Sequence, residues 1–305
     1  MTMNTGQDDD DNENQIANIL IQRRPRILRI RRNWLEIYDD VDFEKRFRLT
    51  KENTYIVLQK IEHKLRHDTE RNNAIPPVIQ LLVFLRFTAT GSFILNVADY
   101  FGISKTSAEV IICNVSLAIA NLHREYIKFP SEPDNILKNK VGNFNLSGFI
   151  RVIGAIDCIH VRIKSYGGTE SELFRNRKGF YSINVQAIVN SSLQIIDLVS
   201  HWPGATHDAT IFDNSRIKAR FESGEFGNGI LLADSGYPSL PYLLTPLQNP
   251  QTPAEILYNE AHTFMRTFQD FFDLVCTYHG LFIYYENTVL YKQHNKHKSI
   301  FISFI

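Results

Sequence analysis

The sequence is poor in cysteine, in long apolar runs and in net charge. Its three cysteines, Cys113, Cys158 and Cys276, are odd in number and widely spaced, so they predict neither a disulfide framework nor a paired zinc site, and they favour a reducing compartment. The longest apolar stretch, residues 75–87, contains two prolines, a glutamine and an arginine and is too short to span a bilayer. Because the N-terminus is polar and acidic, unlike a secretory signal, we expect a soluble intracellular protein with no membrane partner.

Charge is balanced in total but unevenly distributed. The 33 Lys and Arg residues equal the 33 Asp and Glu residues, which argues against a uniformly basic nucleic-acid binder. Within residues 1–40, an acidic run at 8–11 predicts a disordered tail, and an arginine-rich segment follows at 23–32. That segment is compatible with phosphate contact or nuclear import, and equally with a solvated linker that balances the acidic tail.

The remaining chain has enough apolar residues for a buried core and enough length for two domains. Apolar residues make up 44% of the sequence and aromatic residues 12%. Residues 41–148 have helical patterning: Thr50 is placed to cap a helix in which Tyr55, Leu58 and Ile61 recur at three-residue steps, and a prolyl pair at 76–77 opens a second helix. We therefore predict a helical N-terminal region.

Residues 97–111 have the pattern of a helix-turn-helix. Ala98 allows two helices to approach closely, Gly102 can form the turn, and Ser104 can cap the next helix, whose Ala108 and Ile111 would pack back on the first. The alternative is an ordinary helical hairpin. The segment favours DNA binding only slightly, because the second helix has little basic character.

The character of the sequence changes near residue 150, where short apolar runs replace helical periodicity. Residues 159–164, 183–189 and 193–199 predict three antiparallel strands, after a short apolar run at 152–156. A helix is predicted at 208–221, a strand buried on both faces at 229–233, and a helix that begins with a capping box at 252–255. This order predicts an α/β domain of the ribonuclease-H-like class over residues 149–275.

Two of the apolar strands are predicted to end in a carboxylate, at Asp157 and Asp234. Open α/β sheets collect ligands at this rim, and shared carboxylates can hold two divalent cations about 3.5–4 Å apart that stabilise the attacking and leaving oxygens of a phosphodiester. Hard oxygen ligands favour Mg²⁺ or Mn²⁺ over zinc. Either aspartate alone is more typical of a turn cap, but the pair on two candidate central strands indicates a metal-dependent nuclease.

A third acidic candidate is Asp208, where a Pro-Gly turn leads the chain from a strand into a helix. An aspartate in the first turn is favoured by the helix dipole alone, which is the structural alternative. Trp202, Pro203 and His207 lie at the same corner and favour a functional interpretation. Asp197 falls within a strand and is interpreted as structural.

Five motifs in order resemble the PIF/Harbinger transposase superfamily, which includes domesticated nucleases. They are residues 154–161 (GAIDCIHV), 176–179 (NRKG), 202–208 (WPGATHD), 232–238 (LADSGYP) and 258–262 (YNEAH). The resemblance covers roughly residues 40 to 270. It implies a helix-turn-helix in the N-terminal region and a ribonuclease-H-like domain with an Asp-Asp-Glu triad and divalent cations.

The resemblance assigns a role to the individual acids. Asp157 matches the first catalytic acid, Asp234 the second, and Asp208 a further acidic position associated with metal binding. In the family the third acid is a glutamate in a Val-Glu-Arg-x-Phe-Gly setting. Here Asp270 stands at that position, and its shorter side chain would displace the carboxylate by about one methylene, a shift that can cost on the order of a hundredfold in rate.

The resemblance also implies how the protein meets DNA. Arg175, Arg177 and Lys178 match a basic loop that holds a phosphate strand, although from the residues alone this loop is a solvated turn. The family implies a Myb-like partner protein that supplies DNA targeting and nuclear import. We therefore expect a nuclear protein that can also be present in the cytoplasm.

Beyond Gln269 the family pattern ends. Residues 276–305 are aromatic and asparagine-rich, and we interpret them as the product of a shifted splice boundary or retained intron. The leading hypothesis is a metal-dependent DNA endonuclease that uses Asp157, Asp234 and Asp270. The main alternative is a transposase-derived DNA-binding or scaffold protein that does not cut. A phosphoesterase for small molecules is disfavoured because the chain lacks paired His-x-Asp clusters.

Overall fold

The computed structural model describes residues 32–66, 74–165 and 167–264. The acidic run, most of the arginine-rich segment, Asp270 and residues 276–305 lie outside these ranges. Within them, no single helix is long and apolar enough to cross a membrane. The helices Ile94–Phe101 and Lys105–Tyr126 taken together are long and apolar enough, by length and composition only, and the chain bends by 101° between them.

The first part of the described chain is helical. Its helices are α1 (Trp34–Ile37), α2 (Asp40–Phe47), α3 (Lys51–Leu65), α4 (Pro77–Thr90), α5 (Ile94–Phe101), α6 (Lys105–Ala120) and α7 (His123–Tyr126). Thr50 caps α3 as predicted, accepting a hydrogen bond from the Asn53 amide, and a proline opens α4. On α3, Ile61 is fully buried whereas Tyr55 is 49% exposed, so the predicted apolar face is only partly correct.

The segment predicted to form a helix-turn-helix contains two helices, α5 and α6, joined by residues 102–104. Gly102 adopts the left-handed conformation that ends α5, and Ser104 caps α6 by accepting from the Ser107 amide. The bend between Ile94–Phe101 and Lys105–Tyr126 is 101°. Ala98, Ala108 and Ile111 are buried in the helical core, as the pattern predicts. That this pair is a helix-turn-helix of the DNA-binding type stays a prediction.

Helix α8 (Pro133–Ser147) packs against the sheet, although residues 41–148 are predicted to form one helical region. Ile136 and the preceding Phe129 belong to the apolar core that lies over the sheet, whereas the core of the helical region draws on residues 34–122. Packing therefore changes from one core to the other between residues 122 and 129, earlier than the predicted boundary at 148.

The second part of the described chain is a mixed α/β unit. Its five strands are β1 (Val152–Arg162), β2 (Ser182–Val189), β3 (Ile195–Pro203), β4 (Ile230–Ala233) and β5 (Leu243–Leu244), in the order β3-β2-β1-β4-β5. β1, β2 and β3 form the predicted antiparallel series, and β4 joins β1 in parallel. This arrangement is compatible with the predicted ribonuclease-H-like class.

Two details of the sheet differ from prediction. Residues 152–156 and 159–164 belong to one continuous strand, because β1 pairs with β2 along residues 155–162 without interruption at the polar positions. β5 was not predicted, since two residues give no periodic signal. A 3₁₀ helix (Thr169–Phe174) lies in the connection between β1 and β2.

The helix predicted at 208–221 is divided into α9 (Asp208–Asp213) and α10 (Arg216–Glu222). The break occurs because Ser215 caps α10, accepting from the Lys218 amide at 3.3 Å and donating to the Phe212 carbonyl at 2.6 Å. The predicted capping box of α11 (Pro253–Phe264) is confirmed, with reciprocal hydrogen bonds between Thr252 and Glu255 of 3.0 and 3.2 Å.

Candidate active site

The sheet places Asp157 and Asp234 side by side. Ile156 on β1 is the register partner of Ala233 on the parallel strand β4, and each aspartate follows its paired residue. Neighbouring strands lie about 4.8 Å apart. Asp234 directly follows β4, as predicted. The prediction for Asp157 is wrong in one respect: it lies within β1, opposite Ala187 of β2, because the strand continues to Arg162.

Asp208 is brought to the same place by the first turn of α9. Asn184 of β2 donates from Nδ2 to Oδ1 of Asp208 at 2.8 Å and to the carbonyl of Thr206 at 2.9 Å, which holds the start of the helix against the sheet. Asn184 is fully buried. This orienting residue is absent from the sequence-based set of candidates, because a polar residue in a strand shows its partner only once the strand and helix are packed together.

Gly236 leaves open a space that both Asp208 and Asp234 face. A Cβ atom built on Gly236 would lie 3.1 Å from Oδ1 of Asp234 and 3.5 Å from Oδ2 of Asp208. The Gly236 amide also donates to Oδ1 of Asp234 at 2.9 Å, which fixes the orientation of that carboxylate. Two carboxylates therefore converge on one side of the turn that follows β4.

Cys158 and Tyr237 form a buried pair beside the acids, with Sγ and Oη 3.1 Å apart. Burial raises the pKa of the Cys158 thiol well above its ordinary range, and negative charge on Asp208 and Asp157 raises it further. Burial likewise raises the pKa of Tyr237, to which the same two aspartates contribute. Both groups stay protonated at neutral pH.

The basic loop 175–178 carries three positive charges that differ in their surroundings. Arg175 is engaged by Glu172 through two contacts of 2.8 and 3.0 Å and by the Tyr181 hydroxyl at 2.7 Å. Arg177 and Lys178 are exposed and close enough to His160 to lower the pKa of its imidazole, adding to the larger effect of burial. Asp208 opposes that shift.

The donor set fits a divalent cation in kind. Carboxylate oxygens of Asp208 and Asp234 share an open space, and hard oxygen donors suit Mg²⁺ or Mn²⁺. However, across residues 32–66, 74–165 and 167–264 no group of three or more His, Cys, Asp or Glu side chains is arranged to hold a metal ion. Asp270, the predicted third acid, lies outside the described residues. Metal binding by these acids stays a prediction.

Comparison with known proteins identifies a protein family that this chain resembles and several relatives. Residues 156–303 match the DDE superfamily endonuclease family. "Putative nuclease HARBI1" of Rattus norvegicus is 35% identical over 209 residues, which cover 68% of this chain and 60% of that protein, and the Homo sapiens protein of the same name is 34% identical over an equal length. "Protein ALP1-like" of Arabidopsis thaliana is 25% identical over 200 residues, or 60% of this chain and 48% of that protein.

The chain spans about 60% of the length of the HARBI1 relatives that it matches. No solved structure matches it significantly. The family match extends to residue 303, so the expectation that the family pattern ends at Gln269 is wrong. The proposed splicing origin of residues 276–305 stays a hypothesis.

Proposed function

Because the chain carries a DDE superfamily endonuclease domain and has the HARBI1 and ALP1-like proteins as homologues, we propose that it is a metal-dependent DNA endonuclease derived from a transposase. The observation that carries the proposal is the convergence of Asp208 and Asp234 on the space above Gly236, next to Asp157. These acids would hold Mg²⁺ or Mn²⁺, with Asp270 as the third acid of the family triad.

The chain's own residues fit hydrolysis by water without a covalent enzyme intermediate. Cys158 follows Asp157 directly on β1, but the raised pKa of its thiol keeps it protonated and therefore a poor nucleophile. Asn184 and the Gly236 amide hold the Asp208 and Asp234 carboxylates in fixed orientations. Divalent cations supply, when bound, the positive charge that stabilises the attacking and leaving oxygens of a phosphodiester.

The test is plasmid nicking with Mg²⁺ or Mn²⁺ by the wild type and by an Asp157→Asn, Asp234→Asn double variant. The amides keep the size of the carboxylates and remove their charge, so we expect nicking to fall to background. Asp213→Asn is the matched control, because this exposed aspartate lies on the same helix as Asp208 and pairs with Lys218. If the double variant nicks as fast as the wild type, the nuclease assignment is wrong.

A second candidate function is DNA binding without cleavage, which the position of Arg177 and Lys178 supports independently of the acids. Replacing both by alanine should weaken binding to duplex DNA about equally across sequences. The slope of log Kd against log salt concentration should fall by about two, roughly one for each lost phosphate contact. The control is the Lys45→Ala, Lys64→Ala variant, which removes the same number of positive charges from exposed positions on α2 and α3. Equal salt slopes in the wild type and the Arg177→Ala, Lys178→Ala variant would exclude this loop as a phosphate contact.

We also propose nuclear localisation and a Myb-like partner that supplies DNA targeting, on the basis of the family resemblance. The balanced net charge of the chain supports a need for such a partner. Imaging of a fluorescent fusion with and without the co-expressed partner tests both points: we expect nuclear signal to depend on the partner, and exclusion from the nucleus in both conditions would contradict the proposal.

A further inference from the structure

His160 is held by a relay of hydrogen bonds that starts in the basic loop. Nδ2 of Asn176 lies 3.1 Å from Oγ of Ser182, and that oxygen lies 3.2 Å from Nδ1 of His160. Asn176 is 4% exposed and Ser182 is fully buried. Buried polar groups in such a chain are costly unless each is satisfied, so the relay fixes the imidazole in one orientation.

The direction of each hydrogen bond in the relay can be assigned. Oδ1 of Asn176 accepts from the backbone amides of Lys178 and Phe180 at 3.0 and 3.3 Å, so the nitrogen of this side chain must face Ser182. An amide nitrogen only donates, and the Ser182 oxygen therefore accepts from Asn176. The contact with Nδ1 of His160 allows either tautomer, and we assign the one in which the buried Ser182 hydroxyl donates its proton to Nδ1, because that proton needs an acceptor. A neutral imidazole that accepts at Nδ1 carries its proton on Nε2.

The packing of Gly204 keeps Ser182 in this position. A Cβ atom on Gly204 would come within 2.3 Å of Oγ of Ser182 and 2.6 Å of the Phe174 carbonyl. The Pro203–Gly204 turn after β3 therefore closes directly on the serine. Burial also lowers the pKa of His160, and Arg177 and Lys178 lower it further against the opposing effect of Asp208. Both observations are consistent with an imidazole that is neutral and held in place at physiological pH.

We infer that His160 is a DNA-binding residue whose Nε2–H donates a hydrogen bond to a non-bridging oxygen of a backbone phosphate, with Asn176 and Ser182 as its positioning residues. The inference rests on the proposed action on DNA. The relay joins His160 to the basic loop that carries Arg177 and Lys178, because Asn176 also accepts from the Lys178 amide. A phosphate bound by Arg177 and Lys178 would therefore lie near the imidazole. A neutral N–H donor at that point adds a directional hydrogen bond and does not bind the cations that the acids would hold.

Two substitutions at His160 test the roles of Nδ1 and Nε2 separately. His160→Asn places an amide where Nδ1 lies, so it can still meet Ser182, but it lacks a group at Nε2. His160→Gln reaches to Nε2 and retains a donor there. We measure binding to a labelled DNA duplex by fluorescence anisotropy in EDTA, where no divalent cation is available and cleavage does not occur.

We expect Kd to rise about tenfold for His160→Asn, the effect of one hydrogen bond to a charged group, and to stay within about twofold for His160→Gln. The same pair of substitutions at His201, an exposed histidine on β3, should leave Kd unchanged. Equal Kd values for the two His160 variants, whether both unchanged or both weakened, overturn the inference, because a structural role would not distinguish them.

A third variant keeps the inference testable if a His160 substitution prevents folding. Ser182→Ala removes the hydroxyl that orients the ring and leaves Nε2 intact, so we expect a smaller rise in Kd, about threefold, on the order of a side-chain hydrogen bond that acts indirectly. No rise overturns the positioning part. Nicking by the wild type is assayed separately: a wild type that binds DNA in EDTA but does not nick refutes the nuclease proposal and leaves this inference standing.

Discussion

Gly236→Ala adds one methyl group to the space that the two carboxylates face. The added carbon would lie 3.1 Å from Oδ1 and 3.5 Å from Oδ2 of Asp234, and 3.5 Å from Oδ2 of Asp208. The shortest of these is tighter than an ordinary van der Waals contact, so the Asp234 carboxylate must shift by a few tenths of an ångström. The methyl also takes up volume that a cation or a substrate oxygen would need.

The fold should tolerate the same substitution. Gly236 is exposed and is not among the glycines with positive φ, so alanine can adopt its backbone conformation without strain. Replacing glycine by alanine at a compatible site stabilises a protein by about 0.4–1 kcal/mol, because the unfolded chain has less freedom. We therefore expect an unchanged or slightly raised Tm. Function and stability should move in opposite directions.

The size of the functional loss follows from the sensitivity of catalytic geometry. Displacing a catalytic group by about 1 Å can cost on the order of a hundredfold, and the displacement here is smaller but is combined with lost volume. We expect kcat for plasmid nicking to fall about 10- to 100-fold in Mg²⁺. Ser235→Ala, an exposed neighbour on the same turn, is the control and should nick at the wild-type rate.

Two results would refute this reasoning. Wild-type nicking by Gly236→Ala would mean that the space above Gly236 is not used in the reaction. A fall in Tm of several degrees together with lost activity would mean that the glycine serves the fold. In both cases the convergence of Asp208 and Asp234 would have to be explained without a shared ligand.

Three further predictions concern stability and binding. Burial raises the pKa of Asp197 to about 6 in the folded chain, so its ionisation opposes folding and the free energy of unfolding falls as pH rises from about 4 to about 6. Asp197→Asn should remove this pH dependence. It should also add about 1–2 kcal/mol to the free energy of unfolding in urea at pH 7, after allowance for solvent screening. Ser215→Ala should cost about 1 kcal/mol in the same assay, because α10 loses its cap. Gly204→Ala should weaken DNA binding in EDTA at least as much as Ser182→Ala, since its methyl would displace the serine.

Much of the sheet could be predicted from residue patterns, because burial leaves a clear signature. Residues 230–233 are all buried and all apolar, so β4 and the aspartate that follows it were found correctly. β1 was divided in prediction because Asp157 and His160 interrupt its apolar pattern, although both lie within the strand. The apolar pattern therefore fails to predict a strand where polar residues interrupt it. In β1 these polar residues, Asp157 and His160, belong to the candidate active site.

The approach of Asp208 to Asp234 could not be predicted from local sequence. Asp208 begins α9 and Asp234 follows β4, and their carboxylates face the same space where Asn184 of β2 holds the start of α9. No periodicity or cap links Asn184 to Asp208, which are 24 residues apart. The resemblance to a family marked Asp208 as an acidic position, but only the packed structure shows which side chain orients it.

β2 offers the most general signal for locating such a site. Ser182, Asn184 and Gln186 alternate along the strand and are fully buried, although a strand covered on both faces is expected to be apolar throughout. Two of them bind the functional side chains directly: Ser182 contacts His160, and Asn184 contacts Asp208. Because each buried polar group carries a desolvation cost, a row of them on one face indicates that the face is specialised for orienting other residues rather than for stability. Replacing this row by valines should therefore affect DNA binding and nicking more than folding.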